Sequence, residues 1–227
     1  MNQPNQRALE RKIRSIEVLK EYNVPYIEHL PVIETSDCIK IRTKDEIAKR
    51  AITCLITIQL ACDVMNDHEA IDECVSFCKG LLEQFEVEEC LTEKEKAIFS
   101  LEADQQSVIN MVWKYEAYWI LLWALGIVEE LDYPSHICDC NFAIEAVSSC
   151  ENYEDFISQA KLRDIEEILA QADLIFRYDW ACVDARIKGM EAPAGLDSGV
   201  VFERHWGLNW LIDADEEDDW DYVGTNT

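Results

Sequence analysis

The sequence predicts a mainly α-helical protein: a single-domain multi-helix bundle preceded by a short extended N-terminal arm. Three observations carry this expectation. Apolar side chains recur at helical spacing along most of the chain. The stretches "TKDE" at 43–46 and "TEKE" at 92–95 place Thr three residues before Glu, the reciprocal arrangement that satisfies free backbone N–H groups at a helix start. Only seven glycines and five prolines punctuate 227 residues, and no alternating pattern occurs beyond the N-terminal arm. With 49% apolar side chains the chain is long enough to bury a core without disulfide or metal staples.

From Arg7 to Lys20, Leu9, Ile13, Ile16 and Leu19 are spaced as one face of an amphipathic helix. The following "NVPYIEHLPVIE" has two prolines and several β-branched residues, which suits an extended segment, a strand or a hairpin arm. Helices are then expected near residues 44–64, 67–86, 93–101, 105–127, 141–149, 153–160, 163–188 and 199–212. This divides the chain into an N-terminal helix and arm (1–42), a helical body (43–212) and an acidic C-terminal tail (213–227). Because the later helices carry their own caps and stripes, residues 1–20 are expected to be removable without unfolding the body.

The stretch "VINMVWKYEAYWILLWALGIV" (108–128) is interrupted only by Asn110, Lys114 and Glu116 among its apolar residues. Its uncharged part, Ala117 to Val128, is 12 residues long, short of the roughly 20 that a membrane span needs, so it reads as a core helix. The tail "DADEEDDWD" (213–221) alternates acids but lacks the glycine and the closing glutamate of a calcium loop, and reads as a solvated tail or cap.

With 46 acidic and 20 basic residues the formal charge is −26, which repels phosphate backbones and anionic lipid heads and argues against nucleic acid and membrane partners. Residues 1–50 are net +2 and the remainder net −28, so the N-terminus could dock on an acidic body, or the asymmetry could serve solubility alone. A cationic protein or a small anion are the partners such chemistry suggests. The start "MNQPNQRALERKIRS" lacks the apolar core and cleavage site of a secretory signal. The ten cysteines are therefore expected as thiols in a reducing cytoplasm, mostly buried as in "ITCLITIQLACDV", with no disulfide and no bound zinc.

Candidate chemistry concentrates late in the chain. Within the predicted helix 163–188, Arg177 and Asp184 share one face and Asp179 and Arg186 the opposite one, so this helix is packed on two sides. Members seven apart are about 10.5 Å apart along the axis, so a third group should bridge them, with Glu116, Glu203, Arg204 and His205 as candidates. In "GVVFERHWGLNWLI" (199–212) apolar side chains surround the helix, and Glu203, Arg204, His205 and Asn209 lie among them. Two readings compete. One is a salt-bridge network in the core, where a buried charge must be paired. The other is an anion-binding or acid/base site built on Arg177, Asp184, Arg204 and His205.

"HICDC" places His136, Cys138 and Cys140 at alternate positions, and Cys74 and Cys78 lie one helical turn apart, but a closed zinc site usually needs two separated ligand pairs and no second cluster is visible. No nucleophile elbow, phosphate-cradling glycine loop, HExxH or deaminase signature is present, so no enzyme class is recognised by motif and no cofactor is implied.

Taken in order, "VPYIEHLPVIE", "YEAYWILLWALG" (115–126), "ICDC" (137–140), "KLRDIEEIL" (161–169), "DLIFRYDWACVDAR" (173–186), "GVVFERHWGLNWLI" and the closing "DWDYVGTNT" resemble the bacterial domain-of-unknown-function family numbered 4272 over nearly the whole chain. The resemblance implies a bacterial, soluble, mainly helical protein and carries over no activity or catalytic residue. It also implies that the second cysteine of "ICDC" is dispensable in the family. The sequence thus favours a cytosolic helical binding or interaction protein, with an enzyme for a small anionic substrate as the alternative and neutralisation of a basic partner as a third reading.

Overall fold

The computed structural model describes residues 6–213 and 220–227, and among these the regular elements are helices. In chain order they are α1 (Gln6–Glu21), α2 (Lys44–Met65), α3 (Ile71–Gln84), α4 (Glu93–Phe99), α5 (Gln105–Trp113), α6 (Tyr115–Ala124), α7 (Cys140–Ser148), α8 (Tyr153–Gln159), α9 (Ile165–Ile187) and α10 (Ser198–Ile212), with 3-10 turns at Glu88–Cys90 and Pro193–Gly195. None of these helices is long and apolar enough to cross a membrane. The chain is a single mainly α-helical domain.

Both capping boxes form: the hydroxyls of Thr43 and Thr92 accept from the N–H groups of Glu46 and Glu95, whose carboxylates accept from the Thr backbones. Asp104, Asp139, Asn152, Asp164 and Asp197 start α5, α7, α8, α9 and α10 in the simpler one-way manner. The segment expected as one helix over 67–86 begins only at Ile71, because the chain first turns through Asp67 at φ 50°.

The core is built on α10, which packs between α6 and α9, while α2 packs on α5, α6 and α3. Gly207 lets α10 approach α6: a β-carbon there would lie 2.9 Å from the Ala117 carbonyl and 3.0 Å from Ile120 Cβ. At the end of α6, Gly126 turns at φ 69° beneath the Lys161 carbonyl, and Arg163 donates to the carbonyls of Trp123 (2.6 Å), Val128 (2.7 Å) and Glu129. The "KLRDIEEIL" stretch is therefore a clamp on the end of α6 before it is a helix.

Three expectations are corrected. The 105–127 helix is two helices broken at Lys114, whose N–H reaches back only three residues, to the Met111 carbonyl. The face of α1 is rotated from the one its apolar residues suggest: Ala8, Arg11, Ser15 and Leu19 are buried, whereas Leu9 and Ile13 are 40% and 56% exposed. Arg11 decides this, since its guanidinium donates to the carbonyls of Ile33 (2.9 Å) and Glu34 (3.0 Å) and pairs with Glu166 at 3.4 Å.

The third correction concerns the arm over 22–43, which is extended but forms no strand. Cationic side chains take the place of a ladder partner: besides Arg11, Lys12 Nζ donates to the carbonyls of Glu28 (2.5 Å) and Leu30 (2.7 Å), and Arg177 to that of Pro31 (3.2 Å). Arg42 then ties the end of the arm to α10 through the carbonyls of Trp210 and Asp213.

Of the expected acidic tail, residues 214–219 lie outside the described residues. Trp220 and Asp221 are buried rather than solvated. Trp220 packs edge-on against Trp210, and Asp221 accepts from Thr92 Oγ1 at 2.8 Å and from the Lys94 N–H at 2.9 Å, adding a second cap to α4.

Since α1 lies on α9 with Leu19 in the common core, the earlier expectation that residues 1–20 are removable is reversed. Deleting them is predicted to abolish the cooperative thermal transition. A truncated chain that still melts cooperatively at the full-length midpoint would show α1 to be dispensable.

Candidate functional site

The charged residues picked out in the sequence are divided among separate partners. Arg204, 2% exposed, donates from Nε to Glu116 Oε2 at 2.9 Å and from Nη1 to the Asp132 carbonyl at 2.7 Å. The other oxygen of Glu116 accepts from the Cys138 N–H. Glu203, the neighbour of Arg204 in sequence, turns to Lys114 instead, 2.8 Å away. Arg177 is paired one turn back along its own helix, donating to both oxygens of Asp173 (2.7 and 2.9 Å). Asp184 pairs with Lys188 at the surface, and Arg186 is exposed. The bridging group expected between residues seven apart on α9 is thus absent from the described arrangement. Nearer partners at four-residue spacing pair with Arg177 and Asp184 instead.

His205 and Asn209 form a chain of hydrogen bonds whose direction can be derived. Asn209 Nδ2 donates to the Gly224 carbonyl at 2.7 Å; a carbonyl can only accept, which fixes the amide. Its second hydrogen faces His205 Nε2 at 3.0 Å, so Nε2 accepts, the ring hydrogen sits on Nδ1, and Nδ1 donates to Asp179 Oδ2 at 2.9 Å. A carboxylate holding a histidine this way is two-thirds of a hydrolytic triad. The position of the nucleophile is filled by an amide, which has no nucleophilic lone pair to offer. The pair locks α10 onto α9 and onto the returning C-terminus.

The ten cysteines carry no disulfide. Burial pushes up the thiol of Cys54, to about 12, and those of Cys78 and Cys182, to about 11, so none of these three is a ready thiolate. Cys138 is buried below α6 and His136 is exposed, and among the described residues no three His, Cys, Asp or Glu side chains are grouped as metal ligands.

The arrangement with most chemical potential centres on Lys114, which the sequence reading noted only as an interruption of an apolar run. The helix break delivers its ammonium to a groove of about 430 Å³ between α5, α10 and the returning Trp220–Asp221. Its Nζ lies 3.6 Å from the centre of the Trp206 ring, and the Trp206 indole is held by donating to the Trp220 carbonyl at 3.0 Å. Burial lowers the Lys114 pKa, only partly offset by Glu203, and raises that of Glu203, only partly offset by Lys114. The two shifts bring the ionised and neutral forms of the pair closer in energy than in water. Phe202, 38% exposed, and Asn110 complete a wall that is part aromatic and part polar. The sequence did carry a signal for this site: a lysine inside an apolar run must find an anion, and Glu203 is the acid of α10 that Arg204 leaves free.

Fold and site together define a mainly helical single-domain protein whose core charges are internally paired, with one polar-aromatic groove at a helix break. The chain belongs to the family described as Domain of unknown function (DUF4272), which matches residues 11–223. No curated protein and no solved structure matches it.

The pair gives a pH-dependent prediction. Because the folded pKa of Glu203 is raised, its contribution is fully favourable below the unfolded value near 4.5 and is lost as pH rises through the folded value. Glu203→Gln should therefore flatten the melting midpoint against pH in that window. At neutral pH, where that contribution is lost, the neutral glutamine should not lower the midpoint, because the folded state already favours the uncharged side chain. Parallel pH profiles for the two proteins would contradict the assignment.

Proposed function

We propose that this protein is a non-catalytic binding protein of the bacterial cytoplasm, and that the groove at the α5–α6 break is where it takes a small planar ligand. The observation that carries the reading is the meeting, in one solvent-open groove, of a half-buried tryptophan and phenylalanine wall with the Lys114–Glu203 pair. An apolar cleft with a few convergent polar groups of shifted pKa is the usual form of a small-molecule site. A planar ligand would stack on Trp206 and exchange a donor and an acceptor with the pair. The free thiols, five of them buried, suit a reducing compartment.

The alternative, catalysis on a small anion through Arg204, His205, Arg177 and Asp184, would need these side chains around one opening. Their separate partners, and the amide on His205 Nε2, favour the binding role instead.

Titration with benzamidine, benzoate and benzamide, planar probes of three charge types, tests the reading through tryptophan fluorescence and calorimetry. At least one should bind saturably, and binding should fall tenfold or more in Trp206→Ala and in Lys114→Met. No binding by any of the three, or binding indifferent to both substitutions, would overturn it.

A further inference from the structure

A second cavity, independent of the groove, lies on the other side of α10. It measures about 170 Å³, is open to solvent on one side, and is lined by Val18 of α1, Tyr22 just after it, the loop through Asp132–Pro134, the Gln171–Tyr178 face of α9, and Arg204. By comparison, an engineered cavity of about 150 Å³ is large enough to hold benzene. Three of its lining side chains are tyrosines in contact: Tyr22 lies over Tyr133 with ring centres 4.5 Å apart and planes inclined by 10°, and Tyr133 meets Tyr178 edge-on at 5.7 Å. Tyr133 is anchored by donating to the Ala194 carbonyl, whereas Tyr22, at the end of α1, is 46% exposed.

Two polar groups at this cavity are left over by the fold. Arg204 uses Nε and Nη1, but its buried Nη2 has no hydrogen-bond partner. The Tyr178 hydroxyl makes no hydrogen bond to a described residue, and burial holds its pKa above the usual phenol value, so it stays protonated. A guanidinium nitrogen without an acceptor beside a space walled by aromatic and aliphatic side chains, Gln171 and Asp132 is an offer to an incoming oxygen. The charge count narrows the class. Glu116 already balances Arg204, and Asp132 adds a further acid to the wall, so an anion would enter with its charge uncompensated. A neutral acceptor would not.

We infer that the cavity beneath the Tyr22–Tyr133 stack is a binding site for a small neutral ring compound carrying one carbonyl or hydroxyl oxygen, which accepts from Arg204 Nη2.

The test uses the full chain and two probes of equal ring size, cyclohexanone and cyclohexanecarboxylate, followed by chemical shifts of the Tyr178 ring and the Arg204 Nε–H. Cyclohexanone should give saturable shifts at both residues, the carboxylate should bind at least tenfold more weakly, and Leu174→Trp, which fills the cavity, should weaken cyclohexanone at least tenfold. Leu131→Phe is the filling variant from the loop side should Leu174→Trp not fold. An absence of saturable shifts, meaning ordered water only, would overturn the inference. So would equal binding of the carboxylate, or ketone binding untouched by the filling variants.

Discussion

The ion pair of Arg204 with Glu116 is the contact on which the rest of the arrangement depends. A helix that is apolar on every side, as α10 is, has no preferred rotation against its neighbours from hydrophobicity alone. Its polar side chains supply one. Arg204 can face only α6, where Glu116 waits, and His205 can face only α9, where Asp179 does. Glu203 is then directed at Lys114 and Asn209 at the C-terminal return. Gly207 adds the close approach that makes the Arg204–Glu116 distance possible. Enclosed ion pairs contribute little net stability because desolvation offsets attraction, but a mispaired alternative leaves a bare charge inside and costs several kcal/mol. The network therefore selects one packing among many that apolar burial would tolerate. It does so without a fixed strand ladder or disulfide.

The same logic runs through the N-terminal arm. Backbone carbonyls between Glu28 and Glu34 would be orphaned beside a helical body, and Arg11, Lys12 and Arg177 bind them. This explains why a buried arginine sits on α1 where an apolar residue was expected, and why the basic end of an otherwise acidic chain is drawn to its own backbone as much as to the acidic surface. It also places α1 over the cavity that Arg204 lines, so arm, α1 and α10 share one structural region.

Much of the fold was legible in the sequence because its signals are local. Thr43 and Thr92 announce α2 and α4 through residues three positions away, and helical periodicity marks α9 and α10. What could not be read depends on distant chain. The break at Lys114 makes sense only with Glu203, 89 residues later, in place. The rotation of α1 depends on carbonyls more than 20 residues downstream. The tail read as solvated carries Asp221, whose partner Thr92 lies 129 residues earlier. Of the candidate site residues, Glu116, Glu203, Arg204 and His205 are buried in pairs, and Asn209 is half-buried against His205. Arg177 was expected to meet Asp184 through a third group, whereas Asp173, a four-residue neighbour, is its partner.

The account stands or falls on whether Arg204 and Glu116 are coupled as a structural pair, and a double-substitution cycle of Arg204→Met and Glu116→Gln, read by equilibrium unfolding, measures that directly. The glutamine keeps an acceptor for the Cys138 N–H, so the cycle isolates the ion pair. Each single change should cost about 3 to 5 kcal/mol by leaving a buried charge or its partner unmatched, and the double variant should recover most of that loss. Additive costs, or an Arg204→Met protein as stable as the wild type, would contradict the claim that this pair sets the packing of α10.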